Sequence, residues 1–258
     1  MHQRLSAWRR TSVAVLGMLS LAIPGAALHA APVVPLAPDP GGRPEVQVTE
    51  QDVTAANQKI ASAYGALVRM WSDDFRQIGD QFVAPRIARY DNTIMTACGV
   101  IQPENAQYCP NNNTIYYDEV FVAGMAKLAS RALGTDGDMA AIGVVAHEMG
   151  HAVAMQLGYR SRDSYENEAT ADCLAGAFAA QSQRDGNLEA GDIDEAFFGM
   201  SMAGDPTLEP TGNRRIDAIR HARLERQSHG TKEQRMANFR TGLDGGAGAC
   251  LDDFRDLR

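Results

Sequence analysis

The sequence predicts an α+β fold that is mainly helical and contains a small β-sheet. Several long segments repeat apolar residues at every third or fourth position, which is the spacing of a helix with one buried face. Asp52–Asp80 is one clear example. The run of β-branched and aromatic residues at Thr114–Tyr117 follows three turn-forming asparagines and indicates a strand. Helices therefore dominate the prediction, and a few short strands accompany them.

The predicted elements follow in order along the chain. Beyond the first helix and the Thr114–Tyr117 strand, they are a strand within Ile87–Thr96, a helix over Glu119–Leu133, a buried helix that carries residues 142–154, a helix over Ser164–Gln183, and helices over Ile193–Met202, Asn213–Ser228 and Thr231–Thr241. Turns are expected at Gly134–Gly137 and Gly158–Arg162, where glycine interrupts the apolar pattern.

Residues 1–30 are predicted to be a signal peptide. Arg4, Arg9 and Arg10 precede the apolar run Thr11–Ala27, and small residues near Ala30 offer a cleavage site. The prediction is therefore an exported protein, periplasmic or extracellular. Two arginines before an apolar run also resemble a twin-arginine signal, although that motif is incomplete. The remaining alternative is an uncleaved membrane anchor, which would be the only source of membrane contact.

Residues 31–50 are predicted to be an extended linker, because they contain five of the eleven prolines of the chain and the pair Gly41–Gly42. Residues 51–258 then form one domain of a usual size for a single hydrophobic core.

The charge of the chain argues against a nucleic-acid partner. Residues 1–31 hold three of the 24 basic residues and no acidic one, so 21 Lys and Arg remain against 32 Asp and Glu, a net charge of −11. Binding to nucleic acid or to an anionic membrane surface requires a basic patch on the protein. The arginines within Asn213–Ser228 are interpreted as a solvated helix face.

One motif indicates a metal site. Residues 147–151 read H-E-M-G-H, and residues four apart lie on the same face of a helix, so His147 and His151 can reach one ion together. Glu148 would then stand beside a metal-bound water, where a general base is needed. The flanking residues are apolar, and buried polar groups require partners. The alternative is a pair of surface histidines with solvated carboxylates, which leaves the apolar flanks unexplained.

A third ligand is expected on the next helix, because catalytic zinc usually takes three protein ligands and one water. Glu168 and Asp172 are four residues apart and share a face, whereas Glu166 points about 200° away from Glu168. We assign Glu168 as the third ligand of one Zn²⁺ per chain. Asp172 is assigned the neighbouring role of accepting a hydrogen bond from a ligand histidine and fixing its tautomer.

The chain resembles the bacterial neutral zinc metallopeptidases of the gluzincin type over roughly Ala56 to Phe254. The motifs that carry the resemblance, in order, are T-A-C-G at 96–99, Y-C-P at 108–110, T-I-Y-Y-D at 114–118, H-E-M-G-H at 147–151, E-A-T-A-D-C-L-A-G at 168–176, G-D-I at 191–193 and H-G-T-x-E-Q-R at 229–235. Met149 is a mild departure at a position that binds no metal. The resemblance implies a zincin-like domain in which the HExxH helix packs against the helix of the third ligand.

The function implied is hydrolysis of peptide bonds in a peptide or protein substrate, with zinc activating water and Glu148 acting as the base. The alternative is a zinc-stabilised binding or scaffolding protein of the same fold that cleaves nothing. Glu148 speaks against it, because a structural zinc site needs no base and closes with a fourth ligand.

Four cysteines remain to be placed. An even number in an exported protein indicates disulfides, with three possible connectivities. Cys98 and Cys109 are 11 residues apart and bracket a polar loop, so we pair them and join Cys173 to Cys250. Cysteine ligation of the metal is disfavoured, because the sequence has no C-x-x-C and the ion already has three ligands.

Two further roles stay open at this stage. A partner for the developing oxyanion could be His229, Tyr116 or Tyr117, and His229 could equally be a turn residue before the Thr231–Thr241 helix. The Thr114–Tyr117 strand could pair with an extended substrate, by resemblance, or could be an ordinary strand of the sheet.

Overall fold

A computed structural model describes residues 34–35, 46–205, 208–226 and 229–256 of the chain. The predicted signal peptide and most of the predicted linker lie outside these residues. The described part is α+β and mainly helical, as predicted. Within it, none of the helices combines the length and apolar composition needed to cross a bilayer.

The helices agree with the sequence pattern, with ends that differ by a few residues. They are α1 (Glu50–Gln77), α2 (Glu119–Leu133), α3 (Asp138–Gln156), α4 (Ser164–Arg184), α5 (Asp192–Met202), α6 (Arg214–Arg226) and α7 (Lys232–Gly245), followed by short 3-10 helices at Ala247–Ala249 and Asp252–Phe254. The strands are β1 (Val34–Pro35), β2 (Gln47–Val48), β3 (Arg86–Tyr90), β4 (Ile94–Thr96), β5 (Gly99–Ile101), β6 (Ala106–Cys109) and β7 (Thr114–Asp118).

Helix α3 forms the centre of the domain. Fourteen of its nineteen residues are buried, because apolar or small side chains occupy every face and a helix of that composition belongs inside a core. Helices α1, α2, α4 and α5 all pack against it. The HExxH motif therefore lies on a helix whose position is fixed from several sides.

Helix α4 returns antiparallel to α3, and a glycine sets how closely the two helices approach. A Cβ atom at Gly150 would lie 2.8 Å from the carbonyl oxygen of Ala171, closer than real Cβ contacts. The glycine inside the HExxH motif therefore has a packing role, since it lets the two helices meet beside His151. Helix α7 also packs closely against α4, where a Cβ atom at Gly176 would collide with the Phe239 carbonyl.

The start of α3 is capped by a residue from another helix. Gly137 precedes the helix and has no side chain that could cap it. Glu195 of α5, which is fully buried, accepts hydrogen bonds from the backbone N–H groups of Gly137 and Met139, both at 2.9 Å. Its negative charge also complements the positive end of the helix dipole.

The main sheet has the order β3-β7-β6, with β3 parallel and β6 antiparallel to β7. Both edges of β7 are therefore occupied, so the expectation that Thr114–Tyr117 pairs with substrate is wrong and its alternative, a strand within the sheet, is correct. Asp118 ends β7 and accepts hydrogen bonds from Val120 and Phe121 N–H, which starts α2. The expected strand within Ile87–Thr96 is divided between β3 and β4.

Part of the predicted linker belongs to the folded domain. Val46 and Val48 are buried against residues of α1 and α2. Thr49 then starts α1 through a reciprocal capping box with Asp52. Val46 and Val48 are spaced two residues apart, as on one face of a strand, but a single such pair within a proline-rich segment is too weak a pattern to predict β2.

Two disulfides join Cys98 to Cys109 and Cys173 to Cys250, as predicted. The segment between Cys98 and Cys109, which the sequence indicated as a polar loop, contains β5 and β6. The first bridge therefore ties the β4–β5 hairpin to the end of β6, and the second ties the C-terminal segment to α4.

Removal of the second bridge should destabilise the domain more than removal of the first. A disulfide stabilises mainly by constraining the unfolded chain, and the bridged residues are 77 apart in one case and 11 in the other. We expect the Cys173→Ser/Cys250→Ser protein to lose roughly 4 kcal/mol of unfolding free energy and the Cys98→Ser/Cys109→Ser protein roughly 3 kcal/mol, measured by urea denaturation. Four titratable thiols in the native protein would contradict the pairing.

Candidate metal centre

The two histidines of α3 present their rings on the same face of the helix. The Nε2 atoms of His147 and His151 lie 3.2 Å apart, and the ring planes are nearly perpendicular. His147 is buried, whereas the His151 side chain keeps a fifth of its surface exposed. The predicted i, i+4 pair therefore converges on one point that remains open to solvent on one side.

Glu168 of α4 brings a carboxylate to the same point. Its Oε2 atom lies 3.0 Å from His147 Nε2, and its Oε1 atom lies 3.5 Å from His151 Nε2. Atoms bound tetrahedrally to one zinc ion at about 2.1 Å are roughly 3.4 Å apart. The three donors thus already have the spacing of ligands around one ion. Glu166 is elsewhere, in a hydrogen bond from the Ser161 hydroxyl.

Asp172 orients His147, in the position that the sequence predicted for it. Its Oδ1 atom lies 2.8 Å from His147 Nδ1, and Asp172 is completely buried. A carboxylate at Nδ1 favours the tautomer that carries its proton there, which leaves the Nε2 lone pair directed at Glu168 and His151. This is the arrangement that a metal-binding imidazole requires.

Arg235 of α7 is the site residue that the sequence analysis did not identify. Its guanidinium donates to both oxygens of Asp172, with Nη2–Oδ1 at 2.6 Å and Nε–Oδ2 at 3.0 Å, and its Nη1 donates to the Ala203 carbonyl at 2.9 Å. The residue is 5% exposed. In the sequence, Arg235 stands out only as the last residue of the H-G-T-x-E-Q-R segment. Nothing in the sequence shows that α7 packs against α4, so its contact with Asp172 could not be predicted.

The electrostatics of the centre favour a positive charge at His147. Burial and the charge of Arg235 lower the pKa of His147, but the hydrogen bonds that its ring donates to the Asp172 and Glu168 carboxylates, together with the negative charge of Asp172, outweigh both and raise it to about 10. Burial alone would raise the pKa of Glu168, yet its contacts with the two histidines hold it far below its ordinary value. The carboxylates that attract a proton here would equally attract a metal dication.

Glu148 follows His147 on α3 and lies against the sheet. It is 7% exposed, and its Oε2 atom accepts a hydrogen bond of 2.6 Å from the backbone N–H of Tyr108 in β6. The Tyr108 N–H therefore points away from β7, while the Asn105 carbonyl faces β7 and accepts from Asp118. By the alternation of a strand, Ala106 and Tyr108 direct their backbone groups towards α3.

A cavity of about 250 Å³ opens next to His147 and Glu148. His229 is part of its lining, on a segment held by hydrogen bonds between Asp205 and Gly230. Tyr116 and Tyr117 do not line this cavity. Their hydroxyl groups bond elsewhere: that of Tyr117 donates to Asn57, and that of Tyr116 accepts from Asn112. Of the three residues considered for the oxyanion, only His229 shares a cavity with the HExxH residues.

A second cluster of carboxylates lies at the other end of α3, formed by Asp136, Asp138, Asp192 and Glu195. Lys59 donates to Asp136 and Asp138, and Glu195 caps α3. It offers only oxygen donors, whereas zinc takes nitrogen or sulfur ligands in most sites. The histidine cluster is therefore the better candidate for zinc among the described residues.

Comparison with known proteins identifies relatives of the chain. The sequence profile of the family described as "Putative neutral zinc metallopeptidase" matches residues 42–254. The uncharacterized protein YpfJ of Escherichia coli K12 is 29% identical over 83% of this chain and 78% of its own length. The uncharacterized protein Rv2575 of Mycobacterium tuberculosis is 26% identical over 67% of this chain and 63% of its own length. No solved structure matches the chain.

Replacing Asp172 by asparagine should weaken zinc binding. If the amide oxygen takes the place of Oδ1, it still accepts from His147, but the NH₂ group faces the Nε–H of Arg235. If the amide turns over, its NH₂ group faces Nδ1 of His147 instead, so one of the two contacts is lost. Loss of such an outer partner typically costs 10–100-fold in metal affinity, and we expect a loss of about that size in competition with a chromophoric chelator. Asp185→Asn, at an exposed carboxylate just beyond α4, is the matched control. Equal affinity of the two variants would contradict the orienting role.

Proposed function

The chain belongs to the family of neutral zinc metallopeptidases, and on that basis we propose that it is an exported peptidase whose single zinc ion is held by His147, His151 and Glu168. The observation that carries the proposal is the convergence of these three side chains. The two histidine Nε2 atoms lie 3.2 Å apart, and the Glu168 carboxylate places Oε2 3.0 Å from His147 Nε2 and Oε1 3.5 Å from His151 Nε2. Three protein ligands leave one position of a tetrahedral site for water or substrate.

Zinc bound there would supply Lewis-acid chemistry, by polarising a peptide carbonyl and lowering the pKa of water to about 7. Glu148 is the proposed general base and, afterwards, the acid that gives the proton to the leaving amine. The Tyr108 N–H holds one carboxylate oxygen of Glu148, which fixes the position of the other. Asp172 and Arg235 keep His147 in the tautomer and orientation that bind the ion.

The edge of β6 that faces away from β7 is the proposed binding surface for the substrate backbone. It is an edge strand of the three-stranded sheet, and Ala106 and Tyr108 direct their carbonyl groups towards the side of Glu148. An extended peptide could add to this edge as a further strand and donate its N–H groups to those carbonyls. His229, on the lining of the adjacent cavity, is the proposed donor to the developing oxyanion.

Two features of the chain support export. The N-terminal 30 residues have the charge and apolar pattern of a signal peptide. The two disulfides belong to an oxidising compartment, since such bonds are rare in the reducing cytosol. We propose that cleavage of the signal releases the domain into the periplasm or the extracellular space.

The competing function is a zinc-stabilised binding protein without activity. The position of Glu148 beside the three donors, next to a cavity and a strand edge, favours catalysis, because a structural site has no need of any of these. Cleavage of an internally quenched peptide library by the purified protein separates the two functions. Activity should disappear with a chelator and return with added zinc, whereas zinc retention without cleavage of any peptide would favour the binding protein.

Glu148→Gln should abolish turnover and leave zinc binding intact. The amide preserves the shape of the side chain but cannot accept the proton, and general acid–base groups contribute roughly 10²–10⁴-fold to a rate. We expect at least that loss of kcat, with one zinc per chain by elemental analysis and an unchanged circular dichroism spectrum. Full turnover in this variant would exclude Glu148 as the base.

A further inference from the structure

We propose that the Cys98–Cys109 disulfide holds Glu148 in place through Tyr108, so that the base is positioned only while this bridge is oxidised. The inference rests on the proposed peptidase function and adds a control to it. A chain that still carries the two thiols would be inactive, and activity would begin when the bridge forms after export.

The bridge and the base meet at the end of β6. Tyr108 donates its backbone N–H to Glu148 Oε2 at 2.6 Å, and the next residue, Cys109, is bridged to Cys98. Among the described residues, this N–H is the only hydrogen-bond donor to the Glu148 carboxylate. The bond is buried and has a charged acceptor, which makes it one of the stronger kind. The bridged residue is therefore the immediate neighbour of the residue that orients Glu148.

The donor lies where its strand ends. β6 has four residues and pairs with β7 alone in the part of the sheet that the structure describes. Its ladder stops at Cys109, opposite Thr114. The ends of secondary-structure elements open more readily than their centres, because fewer interactions must break. A covalent bond at Cys109, which is completely buried, opposes this opening next to the Tyr108 N–H.

On its other side, the bridge joins the turn of the β4–β5 hairpin. Cys98 lies in this turn, between Thr96 and Gly99. Neither β4 nor β5 packs extensively against another of the described helices or strands. The described residues include one hydrogen bond from the turn to the β6–β7 connection, which the Asn111 side chain donates to the Ala97 carbonyl in an exposed position. The disulfide is therefore the main link between the hairpin turn and the end of β6.

The proposed zinc ligands are held by other contacts. His147 is oriented by Asp172, which is bound in turn by Arg235 of α7. Glu168 lies on α4, and its carboxylate contacts the two histidines rather than β6. Loss of the first bridge should therefore release Glu148 without releasing the metal ion. The protein would lose its activity and keep its zinc.

Thiol–disulfide exchange supplies the change of state. A newly made chain in the reducing cytosol carries both cysteines as thiols. After export, exchange with the disulfide of an oxidant protein or small molecule forms the Cys98–Cys109 bond. The oxidant takes up the two electrons and two protons that the cysteines lose, so its own disulfide becomes two thiols. The peptidase would thus be inactive in the compartment where it is synthesised.

Two variants separate the bridges. The first-bridge variant is Cys98→Ser/Cys109→Ser, and the second-bridge variant is Cys173→Ser/Cys250→Ser. The second-bridge variant is the matched control, because it is expected to lose more stability although no bond is broken beside Tyr108. General destabilisation and local release of β6 therefore rank the two variants in opposite orders.

The first test does not depend on turnover. It follows hydrogen exchange of the Tyr108 amide by NMR and uses the amide of Ile115, the opposite residue of β7, as the reference. The first-bridge variant should raise the ratio of the Tyr108 rate to the Ile115 rate by about tenfold or more, because β6 then opens locally at its end. The second-bridge variant should leave this ratio unchanged, since unfolding of the whole domain exposes both amides together.

The second test measures turnover and zinc content together. The first-bridge variant should keep one zinc per chain and lose kcat by about 100-fold, since misplacing a group by about 1 Å costs on the order of 10²-fold. Reduction tests the same link with both sulfur atoms in place. In the second-bridge variant the first bridge is the remaining disulfide. Its kcat should fall after treatment with dithiothreitol, which is then removed, and return when oxidised glutathione forms the bridge again. The exchange ratio should follow the same cycle.

The outcomes distinguish the control from the function. An exchange ratio that neither the first-bridge variant nor reduction changes, or wild-type kcat in the first-bridge variant, would overturn the inference. Zinc lost together with turnover would also overturn it, because the bridge would then maintain the whole centre. A selective rise of exchange at Tyr108 without turnover by the wild-type protein would support the link from the bridge to Glu148 and contradict the peptidase function.

Discussion

The structure depends on one imidazole held between two carboxylates. Asp172 contacts Nδ1 of His147 and Glu168 contacts Nε2, and the two acids are one helical turn apart on α4. This arrangement requires α3 and α4 to lie close together and in a fixed register. Gly150 permits the approach, and the Cys173–Cys250 bridge joins the residue after Asp172 to the C-terminal segment. The packing of the two helices and the chemistry of the centre therefore depend on each other.

The same arrangement explains why a buried arginine belongs to the site. Asp172 is fully buried, and a buried carboxylate needs partners that satisfy both oxygens. His147 serves one oxygen and Arg235 serves both, so the charge of Asp172 is balanced while His147 remains available to a metal ion. Because Arg235 also binds the Ala203 carbonyl, it joins the candidate metal centre to the segment that borders the cavity beside Glu148.

The sequence predicted those parts of the site that depend on local spacing. His147, His151 and Glu148 follow from one helical motif, and Glu168 and Asp172 follow from another, so the periodicity of a helix places each set on one face. The contributions of Arg235, Glu195 and the β6 edge depend on which elements meet across the domain, and a single sequence does not encode that in any short pattern. β6 was hidden further because its residues Ala106–Cys109 read as part of a polar loop. With β6 unrecognised, the sequence left open whether β7 pairs with substrate or lies within the sheet, and the structure shows the latter.

The most direct test of the central claim is anomalous diffraction at the zinc absorption edge from crystals of protein purified without chelator. We expect one peak per chain, with His147 Nε2, His151 Nε2 and a Glu168 oxygen about 2.0–2.2 Å from it. Absence of a zinc peak, or a single peak among Asp136, Asp138, Asp192 and Glu195 at the opposite end of α3, would contradict the assignment of the centre.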